Sequence, residues 1–259
     1  MLSLYFKYLL IQIKSELQYK KAFIIALFGQ IFSSLFSLLS IYFLFDKFGN
    51  IKGFEFKHIL ICYSISFLGF SLTECFFRGF DQFDIMLSNG QFDVMMLKPK
   101  PLIFQIMANK IEFKKVGRML MAFIVVTSII VSSPELWHID KFMTIIVMVM
   151  GTIVIYAGLF IIKAAICFYT TQSLEIMNIF TDGARDLTEY PLSIYKKVIL
   201  DFFTYVIPIA MVNLYPLLYL IGRTNNKMYM FAPFISLVFL VPCNIFWKIG
   251  LKRYKSTGS

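Results

Sequence analysis

Of 259 residues, 59% are apolar and 15% charged, against roughly 45–50% and about 25% in soluble domains, which excludes a water-soluble globule. The apolar excess and a mere four cysteines also exclude a disordered chain and a disulfide scaffold. The net charge of +10 is spread over separate segments instead of one patch, so it points to anionic lipid and membrane insertion, not to nucleic acid.

Residues 1–21 come first. Ser3, Lys7, Lys14, Gln18 and Lys21 share one helical face, and Leu2, Phe6, Leu9, Leu10, Ile13 and Leu17 fall largely on the other. This pattern predicts an amphipathic helix lying in the membrane interface, with no removable signal peptide. Charge-free stretches then predict six spans: Ala22–Phe45, Ile59–Phe77, Met119–Ser133, Phe142–Ile162, Phe202–Gly222 and Met228–Trp247. They leave no room for a second folded domain, so residues 1–259 read as one all-α transmembrane domain. With the N-terminus inside, nineteen Lys and Arg residues fall on the cytoplasmic side and six on the other, which predicts that both termini are cytoplasmic.

In the first span Gln30, Ser33, Ser37 and Ser40 lie within an arc of about 80°. Such a stripe suits close helix packing or the lining of a pathway, and the pattern leaves both open. The second span carries Glu74, with Arg78 one turn further on as its expected structural ion-pair partner.

Residues 78–118 form the longest cytoplasmic segment. Phe80, Phe83 and Met86 or Leu87 repeat at helical spacing, Ser88-Asn89-Gly90 and Lys98-Pro99-Lys100-Pro101 break the chain, and Leu102–Gly117 resumes a basic amphipathic pattern. The cluster Phe92, Val94, Met95, Met96 and Leu97 needs cover from a partner protein or from lipid.

In the fourth span Lys163 is expected to snorkel to the inner headgroups. Residues 172–197 read as a second cytoplasmic loop in which Arg185 pairs backward with Asp182 and forward with Glu189. Prolines 208, 216, 233 and 242, with Asn213 and Asn244, predict kinked fifth and sixth spans, and Leu214–Gly222 could turn back as a re-entrant piece.

Catalytic and metal chemistry find little footing. Cys62, Cys75, Cys167 and Cys243 sit in apolar runs as small hydrophobes, and His58 and His138 are the only histidines. No HExxH, GxSxG or GxxxxGK[ST] occurs, so no metal or catalytic residue is assigned and ATP hydrolysis is not expected of this chain. Two other classes make distinct demands on the chain. An intramembrane lipid-modifying enzyme would need Glu74 or Asp201 as its acid or base. An ATP-independent channel or secondary carrier would show inverted repeats and buried coupling charges.

Four strings, in order along the chain, resemble the permease subunits of type-2 ABC transporters, the ABC-2 family. They are Gly90-Gln91-Phe92-Asp93-Val94-Met95-Met96-Leu97-Lys98-Pro99 before Pro101-Leu102; Tyr190-Pro191-Leu192-Ser193-Ile194-Tyr195; Phe203-Thr204-Tyr205-Val206-Ile207-Pro208 running into Val212-Asn213-Leu214-Tyr215-Pro216; and the tail from Trp247 to Ser259. Lys100 and Lys255 depart from the pattern.

The resemblance implies a bacterial cytoplasmic-membrane half-transporter of six helices. It would pair with a second permease, related or identical, above two copies of a separate ATPase, which uses the ATP and Mg; this chain itself binds no cofactor. It implies that the loop between the second and third spans is a coupling helix, with Asp84, Phe92, Asp93, Lys98 and Pro99 on the ATPase-docking surface. The activity implied is export or flipping of an amphiphile, whether drug, peptide or lipid, between the first, second and fifth spans. Gln30, Ser33, Ser37, Ser40 and Asn213 are the candidate pathway residues.

Overall fold

The computed structural model describes residues 2–170 and 175–254. Lys255 and the rest of the tail, and the start of the expected second loop at residues 172–174, lie outside the described residues. Those described are helical, with no strand among them beyond one isolated bridge between Ile51 and Phe54.

Helix α1 (Leu2–Gln18) is tied down at two points: Gln12 Nε2 donates to the Asn109 carbonyl at 2.8 Å, and the Tyr5 and Phe104 rings lie 6.0 Å apart. After Tyr19 the chain enters α2 (Lys20–Phe48), a 29-residue helix that buries only Ser34, Ile41 and Phe45. The middle of the bundle is α3 (Phe56–Phe76), buried along most of its length.

Four short helices follow: α4 (Arg78–Asp81), α5 (Phe83–Ser88), α6 (Gln91–Met96) and α7 (Leu102–Asn109). Then come α8 (Val116–Val131) and the 32-residue α9 (Ile139–Thr170). At 1.5 Å per residue α9 is about 48 Å long, so it overruns an apolar layer of about 30 Å. Helix α2 approaches α8 closely at Gly117, where a Cβ would stand 2.5 Å from the Leu27 carbonyl oxygen.

Beyond the undescribed residues, α10 (Ile176–Asn178) continues through a π-helical turn, Ile179–Gly183, into α11 (Ala184–Leu187). These residues correct the expected second loop, because they thread the bundle lengthwise. Asn178 meets Lys163 near the loop end of α9, and Thr188 meets Tyr156 midway along it at 3.3 Å. The Ser193 carbonyl accepts from Lys52 Nζ at 3.4 Å at the far end.

Helix α12 (Lys197–Tyr205) then folds back against this segment. An open apolar cleft of about 500 Å3 lies between Ile179, Phe180, Gly183 and Leu187 on one wall and Val198, Ile199, Phe202 and Phe203 on the other. After a break at Val206–Pro208, α13 (Ile209–Val212) and α14 (Leu214–Leu220) climb again, and Tyr219 donates to Asp140 at 2.5 Å. The bend between α12 and α13–α14 is 82°, so the kink expected in the fifth span at Phe202–Gly222 is a sharp break, that of a broken span or a re-entrant loop. Its cause is local: Pro208 has no N–H to continue the helix.

Finally α15 (Met228–Phe231) leads into α16 (Ile235–Arg253), which runs parallel to α9. Pro233 lies at Gly151, Phe239 and Cys243 at Gly158, and Phe168 at Gly250. Among the described residues, four helices are long and apolar enough to cross a membrane (Lys20–Phe48, Phe56–Phe76, Ile139–Thr170 and Met228–Arg253), and the bent pair would make a fifth. The third expected span, α8, has 16 residues.

Candidate functional site

The loop helices are held by aromatic rings. Phe92 is fully buried, with ring centroids 5.0 Å from Phe83, 5.5 Å from Phe168 and 5.0 Å from Tyr254, and Trp247 packs 5.4 Å from Phe83. The overrun of α9 supplies Phe168, and α16 supplies Trp247. Phe92 was expected on an outward docking surface; the chain's own rings cover it instead.

Asp93 accepts from the Tyr254 hydroxyl at 2.9 Å. Asp84 is half-buried, and Lys98 and Pro99 are exposed. The apolar side chains turned outward are Ile85, Val94, Met96 and above all Leu97, 86% exposed. Gln105 Nε2 donates to the Met95 and Lys100 carbonyls at 3.0 and 2.9 Å, stapling the Lys-Pro turn to α7.

Beneath the loop lies a network of charges too buried to stand alone. Glu74 is held by Lys115 and Arg118, each at 2.7 Å, and its expected pair with Arg78 is present only as a 3.9 Å contact. Arg78 turns mainly to Asp81 and to Glu112, the latter at 3.4 Å.

Lys163 does not snorkel. It is 7% exposed, and its Nζ donates to Asp81 Oδ1 at 2.6 Å and to Asn178 Oδ1 at 2.9 Å. One ammonium therefore joins the loop, α9 and the segment that threads the bundle.

Further along, the Phe67 ring sits between two guanidinium groups, Arg118 at 5.7 Å and Arg185 at 5.6 Å. Arg185 pairs with Asp182 at 3.4 Å, as expected, but its other partner is Asp186 at 2.5 Å rather than Glu189.

The pathway candidates separate. Asn213 is 2% exposed: its Nδ2 donates to Ser66 Oγ at 2.8 Å and to the Thr188 carbonyl at 3.3 Å, and its Oδ1 accepts from the Cys62 thiol at 2.9 Å. It pins the broken helix to α3 and to the threading segment, with its amide fully engaged inside the chain. Replacing it with Leu should strand those partners at about 1–3 kcal/mol each and lower the unfolding temperature of the purified protein by several degrees. An unchanged temperature would contradict this structural role.

On α2, Ser33 and Ser40 are exposed and Gln30 and Ser37 half-buried. The buried hydroxyl of that helix is Ser34, which bonds to the Gln30 carbonyl at 2.9 Å. Ser33 and Ser40 thus face outward, available to a neighbour, while Gln30 lies against Gly117 of α8.

Residues missed on the sequence alone are Asp81, Lys163 and Asn178 as one joint, and Arg118 and Arg185 about Phe67. Their signal was sign complementarity between distant segments, which spacing along one helix does not reveal.

Residues 31–258 match the family described as ABC-2 family transporter protein. Comparison with curated proteins and with solved structures gave no match.

Proposed function

Because the chain belongs to the ABC-2 transporter family as a membrane permease subunit, we propose that it is half of an ATP-driven exporter or flippase for an amphiphile, worked by a separate ATPase dimer docked under α4–α7. Each ATPase copy supplies ATP and Mg chemistry, and a second permease, related or identical, completes the pathway beside α2. Six crossings follow in this reading: α2, α3, α8, α9, residues 176–194, and α15–α16. Helix α1 lies in the interface, both termini are cytoplasmic, and α12–α14 re-enter from the far side as a hairpin.

The carrying observation is the Lys163 joint. ATP binding favours one arrangement of the docked ATPases, and differential binding of that kind can shift the permease only through groups that move with the loop. Asp81 belongs to the loop and Asn178 to a crossing that faces the pathway, so a shift in one drags the other through Lys163. Exposed Ser33, with half-buried Ser37 one turn on, supports a pathway wall on α2.

The docking face is tested at Val94 and Leu97. Burying a leucine in a partner groove contributes about 1.5–3 kcal/mol, so Leu97→Asp or Val94→Asp should cut ATPase co-purification tenfold or more. The unfolding temperature should stay unchanged, because both side chains are open in the free chain. Phe92→Ala should do the reverse, costing about 3–5 kcal/mol of stability through a core cavity. Full ATPase retention by both aspartate variants would refute this face.

A further inference from the structure

A second groove lies away from the loop, where α1 turns into α2. It is lined by Ser15, Glu16, Tyr19 and Lys114 at one end and by Ala22, Phe23 and Ala26 at the other. The polar end sits at the interfacial helix and the apolar end climbs the first span, so the lining changes character in the same sense as a phospholipid does. Ala22 and Ala26, one turn apart, line it with small apolar side chains beside Phe23.

The polar end is itself unbalanced. Glu16 Oε2 is buried with no hydrogen-bond partner of its own, and burial pushes the Glu16 carboxyl above its ordinary range against the pull of the Phe113 and Lys114 backbone amides and the Lys114 ammonium. Lys114 is 45% exposed, lies 3.8 Å from Glu112 and near Glu16, and keeps ammonium hydrogens for another acceptor. A carboxylate with one oxygen unbonded and a half-exposed ammonium flank one amphiphilic groove.

We propose that this groove holds one phospholipid with a primary ammonium headgroup, its ammonium on Glu16, its phosphate on Lys114 and Ser15, and an acyl chain along Ala22, Phe23 and Ala26. An anionic headgroup can offer Glu16 hydroxyl donors but no positive charge to offset its carboxylate, and a trimethylammonium headgroup has no N–H to give it. The inference rests on the chain lying in a bilayer and needs no ATPase, so its outcome is separate from that of the docking face.

The test is native mass spectrometry of the full-length protein incubated with dioleoyl phosphatidylethanolamine, phosphatidylglycerol or phosphatidylcholine. Retention of phosphatidylethanolamine should exceed that of the other two at least fivefold. Glu16→Gln should erase that preference, and Lys114→Met should weaken all three lipids alike. Ala22→Leu, at an exposed position, fills the apolar end and should expel the lipid with the charges untouched. Soluble phosphoethanolamine at millimolar concentration should not displace the lipid if the acyl contacts hold it. Equal retention of the three lipids, a preference for phosphatidylglycerol, displacement by phosphoethanolamine, or unchanged selectivity in Glu16→Gln would each overturn the assignment.

Discussion

Replacing Lys163 with methionine should both destabilise the protein and disconnect its loop from its bundle. Methionine keeps most of the length and removes the ammonium, leaving Asp81 with Arg78 alone and Asn178 Oδ1 without its donor. Removing one partner of a buried ion pair costs about 3–5 kcal/mol, largely because the other charge stays behind. The double variant Lys163→Met with Asp81→Asn leaves no such charge and should recover much of the lost unfolding temperature. Function should not recover with it. Thiol labelling of Ser33→Cys in the assembled transporter should differ between nucleotide-free and ATP-trapped states in the otherwise native chain, and that difference should vanish in the stable double variant while the ATPase remains bound. If labelling still responds to nucleotide, Lys163 is only a structural pair and the loop communicates by another route.

The same residues show what was legible in the sequence and what was not. Membrane class, helical content and the four long helices are readable because hydrocarbon tolerates few charges and demands internally paired backbones, and both demands act on local composition. The loop's breaks at Gly90 and at Lys98–Pro101 were equally local, since a left-handed φ of +65° favours glycine and Pro lacks a donor.

The threading segment hid for the same reason. Asp182, Arg185 and Asp186 made residues 172–197 look solvated, yet Arg185 is matched by both acids and lies over the Phe67 and Phe70 rings. A composition window sees three charges where the fold has one matched cluster on an aromatic bed. Phe92 failed in the opposite direction. Its run looked uncovered because the covering rings, Phe168 and Tyr254, are distant in sequence, so outward exposure passed to Val94 and Leu97.

Gly79→Ala tests whether the loop's internal packing governs that joint. A Cβ at Gly79 would stand 2.0 Å from the Ile106 carbonyl oxygen and 2.9 Å from its carbon. Both are backbone atoms, so no rotamer change relieves the clash; α4 must move off α7. Overpacking usually costs about 1–3 kcal/mol and more where backbone is displaced, and here the displaced turn carries Asp81, the acceptor of Lys163. The expected result is a loss of more than 3 kcal/mol, read as an unfolding temperature at least as low as that of Lys163→Met, together with loss of ATPase co-purification. Gly29→Ala is the matched control: the same methyl enters a helix where nothing lies within 4 Å, and neither stability nor docking should fall. A Gly79→Ala protein that unfolds at the native temperature and still binds the ATPase would mean that α4 and α7 are not in backbone contact, and the lever argued from Asp81 would lose its fulcrum.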